Sequence, residues 1–302
     1  MMYSRREFIN LTTGTFLAGS LSSFTKPLRM KNHAGYELLL LATNWGFTGS
    51  WAEFALKIKL AGYDGMEVWY PADSKEREAL TKALKEHSLQ VGFLVAGSDR
   101  DPKKHLLQFK ESLETAAAWK PLYINCHSGR DHFSFEENKN FISLTTEVAR
   151  QSQVPIYHET HRSRILYSAP VCRQFIEKIP ELRLTFDVSH WCNVHETLLE
   201  DQAETLSLAI HRTDHIHARI GHAEGPQVND PRAPEWKKAL EAHFAWWDSI
   251  IEIKKREGKR MTMLTEFGPL DYMPSLPYTR QPLANQWDIN MFMLETLRKR
   301  YS

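Results

Sequence analysis

Residues 155–187 read PIYHETHRSRILYSAPVCRQFIEKIPELRLTFD and hold one complete strand–helix–strand unit. The runs at 155–159 and 183–187 are short and rich in β-formers. Between them lies an amphipathic segment of helical period that starts near Ser168. Outward from this unit the same cycle recurs, with strand candidates at 37–43, 65–69, 91–96, 122–126, 214–218 and 261–266. Helix starts are marked by capping-box pairs, Ser50 with Glu53 and Ser134 with Glu137, and by Asp101-Pro102. A further start is expected near Glu196. Turn signals such as Ala61-Gly62 and Glu257-Gly258 close the helices. Eight strands alternating with helices predict an α/β fold, a (β/α)8 TIM barrel, in a single domain over 34–302. A doubly wound open sheet is the alternative, but no GxGxxG follows the first strand. The polar, Gly- and Pro-containing segment Gly221–Pro234 breaks the rhythm and reads as a long active-site loop.

The 302 residues carry a formal net charge of +1, which argues against a nucleic-acid partner. Cys126, Cys172 and Cys192 are too widely spaced for a disulfide framework or a CxxC zinc site. Several of the nine tryptophans, Trp69 among them, fall near expected site loops, where such rings bind sugars or fill the core. The first residues stand apart. Ser4-Arg5-Arg6-Glu7-Phe8-Ile9 resembles the core of a twin-arginine export signal, and a short, modestly apolar stretch follows it. Residues 1–33 are therefore read as an export signal and linker, which implies a periplasmic protein with no stable membrane anchor.

Active sites of such barrels lie at the C-terminal strand ends. Strand five ends Tyr157-His158-Glu159 and strand six Phe186-Asp187, with His190 three residues on. Strand seven carries His215-Ile216-His217, and strand eight ends Leu264-Thr265-Glu266. Four acidic or imidazole groups converging at one height would repel one another without a cation. Three carboxylates and a neutral imidazole suit a divalent ion: Mn, Mg, Co, Fe or Zn.

The order Glu, Asp-x-x-His, His-x-His, Glu resembles the xylose-isomerase-like barrel superfamily of sugar phosphate isomerases and epimerases. Gly62-Tyr-Asp-Gly-Met-Glu67 is similar to the second-strand motif common there. The resemblance implies that Glu159, Asp187, His217 and Glu266 bind metal, and that Glu159 and Glu266 also act as acid and base. It implies a substrate-hydroxyl or metal-side contact for His190, and that His215 points away or supports its strand. The epimerases have an arginine six residues after the ligand histidine. Ala223 holds that place here, and Arg219, the nearest arginine, is the candidate substrate contact. This departure turns attention to the following loop, where His222, Glu224 and Gln227 are candidate substrate contacts.

Glu67 reads as a substrate or supporting group, or equally as a structural carboxylate. His127, before Gly129 and Arg130, reads as a site residue. His158 faces away by alternation and is structural, and Arg162 orients Glu159 or binds substrate. The expected activity is a metal-dependent sugar isomerase or epimerase working through an enediolate on a small carbohydrate. A lyase or dehydratase on a 3-keto sugar or 3-keto-glycoside is the alternative. An endonuclease IV-like phosphodiesterase fits less well. Val95-Ala96-Gly97 and Asp230-Pro231-Arg232 lack the extra histidines that its zinc cluster uses. A non-catalytic sugar binder ranks last, and a homo-oligomer is compatible with all of these.

Overall fold

Eight parallel strands close on themselves in the order β1 to β8, with β1 paired to β8. This computed structural model describes residues 35–127 and 129–302. The strands are β1 (Glu37–Thr43), β2 (Gly65–Trp69), β3 (Gln90–Val95), β4 (Tyr123–Cys126), β5 (Ile156–Glu159), β6 (Leu184–Phe186), β7 (Thr213–Ala218) and β8 (Arg260–Thr265). Each lies within a residue or two of its expected position. Closure removes the open sheet: Glu37 through Ala42 of β1 pair in register with Arg260 through Thr265 of β8. The protein is a (β/α)8 TIM barrel. The expected export signal lies outside the described residues.

The helices are α1 (Trp51–Ala61), α2 (Ser74–His87), α3 (Pro102–Ala118), α4 (Phe135–Ser152), α5 (Ala169–Lys178), α6 (Val188–His195), α7 (Ala203–Arg212), α8 (Lys237–Glu257) and α9 (Gln286–Tyr301). Both capping boxes form, at Ser50 with Glu53 and at Ser134 with Glu137. The Asp101 side chain accepts from the Lys103 and Lys104 amides ahead of Pro102. Gly62 and Gly258 end α1 and α8 in the left-handed conformation. Glu196 is a correction. It ends α6 as a left-handed cap instead of starting a helix, and α7 begins only at Ala203. The reason is that α6 starts directly on Asp187, whose side chain caps it through the Ser189 amide. The Gly221–Pro234 loop is present as expected. A second long connection, between β8 and α9, was not anticipated.

Alternation along each strand decides what enters the barrel. Leu41, Tyr123 and Leu264 form a small apolar layer inside it, with Tyr157 packed against them. Gly92 has no side chain because a Cβ there would lie 2.4 Å from the Tyr123 ring. Outward-facing strand residues, such as Phe93, Ile124, Ile216 and Met263, join the helices in the main core. Among the described residues no helix is long and apolar enough to cross a membrane.

Candidate active site

Above the Tyr123 layer the interior turns polar. Glu67, Asn125, Glu159, Asp187, His215 and His217 are all essentially sealed from solvent. Glu67 is the hub of the lower part. It accepts from the Tyr123 hydroxyl at 2.6 Å, and its two oxygens lie 3.0 Å from His215 Nε2 and 2.9 Å from His217 Nε2. Burial opposes its charge, but His217 and His215 outweigh burial and hold its carboxyl well below the usual range. This placement attaches Glu67 to the two histidines of β7. Of the two expectations for His215, pointing away fails, because residues two apart on a strand share a face, and support of the strand remains. His215 sits one layer beneath His217, with Nδ1 held by Thr262 Oγ1 at 2.7 Å.

The Glu67 contact uses His217 Nε2 and turns Nδ1 upward. Nδ1 lies 2.9 Å from Glu266 Oε2 and 3.6 Å from Glu159 Oε2, yet is aligned for a hydrogen bond with neither. Glu159 Oε1 and Glu266 Oε2 are likewise buried without a hydrogen-bond partner. Burial works against a charge on His217. Glu266, Glu159 and Glu67 outweigh it and raise the imidazole well above its ordinary value. Glu159 Oε2 accepts from Asn125 Nδ2 at 2.8 Å and contacts His127 Nε2. Burial again opposes ionisation of Glu159, and His127 and His217 again prevail, holding it low.

Asp187 and Arg219 share the opposite wall. Asp187 accepts from the Ser189 amide at 3.1 Å and is ion-paired with Arg219. The Arg219 guanidinium also lies 2.9 Å from His190 Nε2 and 3.5 Å from Glu266 Oε2. Burial raises Asp187 to about 6, with Arg219 pulling the other way. Arg219, expected to contact substrate, is thus only 1% exposed and stands between Asp187 and Glu266.

Three of the four expected metal ligands, Glu159, Asp187 and His217, bring ligand atoms within 4.8 Å of one another and can hold a cation. Glu266 reaches the same His217 nitrogen, while Arg219 supplies positive charge beside it. The bare Nδ1 and the two unpartnered carboxylate oxygens fit a divalent ion. So does the support of the far side of His217 by a carboxylate.

His190 is buried and packs at a tilt against His161, with ring centroids 3.8 Å apart; His161 in turn lies 4.9 Å from His127. Burial holds both His161 (to about 3) and His190 in the neutral form. His158 faces α4, with Nε2 2.8 Å from Thr145 Oγ1, as alternation required. Arg162 donates to Asn193 at 3.2 Å and lies over Tyr272, so it does not orient Glu159. Gln227 differs from expectation. Its amide is spent on the Gly268 backbone, donating to O at 3.2 Å and accepting from N at 2.7 Å, which ties the β7 loop to the β8 loop. His222 turns back on its own loop through Gly225 and packs at a tilt against Trp236.

Sequence reasoning missed Asn125, His161 and Tyr272. Asn125 shares its parity with Tyr123 and His127, a signal that was there to be used. Tyr272 lies on the β8 loop, where no period applies. Its ring stands 4.8 Å from Arg219 and edge-on to Trp45.

The closed barrel and the polar strand ends at its mouth define a TIM-barrel protein with a buried site that can take a cation. Residues 56–257 match the family described as xylose isomerase-like TIM barrel. The chain belongs to that family.

Solved structures of the same fold include the 3-keto-D-glucoside 4-epimerase of E. coli. It is 16% identical, with TM-score 0.58, over 87% of this chain and 100% of that one. A probable 3-DHS dehydratase of Bacillus anthracis is 17% identical, with TM-score 0.55, over 87% and 100%. A xylose isomerase-like TIM barrel protein of Mycobacterium smegmatis, in complex with magnesium, is 11% identical, with TM-score 0.57, over 87% and 98%. At these identities the likeness is one of fold. No curated protein matches the chain.

Proposed function

We propose that this protein is a divalent-metal-dependent isomerase or epimerase acting on a keto sugar or sugar derivative. The observation that carries the reading is the buried His217 Nδ1, which has no aligned hydrogen bond and is flanked by the carboxylates of Glu159 and Glu266. Glu159, Asp187, His217 and Glu266 would hold the cation. When bound, a divalent cation supplies the positive charge that stabilises the oxygens of an enediolate.

The remaining chemistry belongs to the side chains. One of Glu159 and Glu266 takes the proton from the carbon beside the carbonyl, and the other returns one. They come from β5 and β8, so a flat intermediate fits between them. His127 and Asn125 fix the Glu159 carboxylate, and Glu67 fixes the His217 ring. The neutral His161 and His190 are suited to hydrogen-bond substrate hydroxyls. Periplasmic export through residues 4–9 belongs to the same proposal.

The test is a screen of keto sugars and 3-keto-glycosides in D₂O with Mn, Mg, Co, Fe or Zn supplied. Solvent deuterium at the carbon next to the carbonyl, with an epimer or isomer released, is the expected outcome. Deuterium uptake with loss of a leaving group would instead identify a lyase. No exchange with any sugar and metal would reject the two-base reading.

A further inference from the structure

Two arginines at the barrel mouth take no part in the proposed proton transfer and form no ion pair among the described residues. Arg130 lies on the β4–α4 loop and Arg164 on the β5–α5 loop. Nε and Nη1 of Arg164 are both sealed from solvent, and neither has a hydrogen-bond partner. Burial and the Arg130 guanidinium both work against its charge. Glu159 and Asp131 both favour its charge, but neither forms an ion pair with it, and Glu159 Oε2 is occupied by Asn125 and His127.

The two loops are built to keep this arrangement. Buried Asn138 grips Arg130 from both sides, accepting from its amide at 3.2 Å and donating to its carbonyl at 2.8 Å. Arg164 follows Ser163, which is left-handed at φ 59°, and its amide closes a turn onto His161 O at 3.2 Å. Next to it Ile165 and Leu166 are fully buried, and Trp191 Nε1 donates to Leu166 O at 2.9 Å. Gly129, at φ +69°, lets the loops abut, because a Cβ there would lie 2.3 Å from the Ile165 side chain. Rigid loops therefore hold two like charges near each other, one of them largely desolvated, with no carboxylate bonded to either. Such an arrangement is costly unless a ligand completes it. A planar guanidinium fork matches the oxygens of a carboxylate or a phosphate.

We infer that Arg164 and Arg130 form an oxyanion subsite, and that the substrate is a sugar bearing a carboxylate or phosphate group, not a neutral one. The inference deepens the sugar-isomerase reading and rests on it for the sugar; the anion site itself rests on the two loops. Arg164 lies on the loop that leaves β5, five residues after Glu159, so a ligand reaching Glu159 can present its anionic group there.

The test is calorimetric binding of D-glucuronate, glucose 6-phosphate and D-glucose to the full chain at low ionic strength, with and without Mn²⁺. At least one anionic sugar should bind tenfold or more tighter than glucose, and the tighter of the two identifies the anion. Arg164→Met should reduce that binding to the level of glucose, and Arg130→Met should weaken it. Arg164→Lys keeps the charge without the fork and should fall between; it also serves if the methionine variant does not fold. Glucose binding as tightly as both anions would overturn the subsite, as would a folded Arg164 variant with unchanged anion affinity. Proton exchange by the unaltered protein separates the two proposals. Anion binding by that protein while no sugar exchanges its proton with any of the metals would reject the isomerase and leave the subsite standing.

Discussion

Glu67 Oε1 lies 2.9 Å from His217 Nε2, and this contact, with Asn125 Nδ2 3.2 Å from the same nitrogen, sets which nitrogen of His217 faces Glu159 and Glu266. The carboxylate lies on β2 and the imidazole on β7, across the barrel interior. Glu67→Gln keeps the shape and removes the charge. Metal affinity should fall roughly 10- to 100-fold, the usual effect of losing a carboxylate behind a ligand histidine. Equilibrium dialysis with Mn²⁺ or Zn²⁺ measures it, and unchanged affinity would show that the ring does not need this support.

Glu159→Gln and Glu266→Gln each keep an oxygen near the cation and remove a base. Activity should drop by a factor of roughly 10² or more, with metal partly retained. Asp187→Asn and His217→Ala should lose metal first. Bound metal and solvent-deuterium incorporation are read together in each variant. Wild-type exchange in both glutamine variants would make a hydrolytic metal-bound-water mechanism the better account.

Arg219 offsets the charges of Asp187 and Glu266 from within the site. Arg219→Met should leave two buried carboxylates facing each other and destabilise the metal-free protein by about 3–5 kcal/mol. A divalent cation should then restore more stability in the variant than in the wild type. Thermal unfolding with and without Mn²⁺ checks this, and equal metal-induced shifts would count against it.

His158 and His243 set the acid response of the scaffold. Burial holds His158 at about 3 and His243 at about 4. His243 Nδ1 donates to Ala239 O at 2.8 Å and its Nε2 accepts from the Gly221 amide at 3.2 Å, so the ring is fixed neutral at the start of the β7 loop. In the unfolded chain each histidine takes a proton near pH 6.5. The unfolded state therefore binds more protons below that value. Their contribution is complete above about pH 6.5 and falls as pH drops toward 4, by up to about 3 kcal/mol per group. Urea midpoints at pH 7.5 and 4.5 test it. His243→Gln should lower stability at pH 7.5 and flatten the pH dependence, and an unchanged slope would remove His243 from the account.

The export proposal rests on Ser4-Arg5-Arg6-Glu7-Phe8-Ile9, centred on Arg5 and Arg6. Changing both to Lys should strand the protein in the cytoplasm. Cell fractionation that finds unchanged periplasmic delivery would rule out the twin-arginine route.

Much of the barrel was legible because a period belongs to the chain itself. Alternation in runs such as 155–159 marks strands, and Ser50, Asp101 and Ser134 mark helix starts through contacts made within three residues. Glu196 misled because an acidic residue near a helix suits more than one place. Only the Asp187 cap fixed where α6 begins and ends. The strand ends Glu159, Asp187, His217 and Glu266 were also readable, since the fold carries such residues to one mouth.

What each side chain faces was decided elsewhere. Glu67 sits beneath His217, Gln227 is consumed by Gly268, and Arg219 stands between Asp187 and Glu266. Arg130 comes close to Arg164 because Gly129 lets two loops touch. Each of these relations joins residues far apart in the chain, through the stagger of a closed sheet or through loops that follow no period. Secondary structure is written in neighbours a few residues away, so the sequence by itself determined the barrel and the residues at its rim. Hydrogen-bond partners and buried charges depend on distances across the barrel, and only closure sets those.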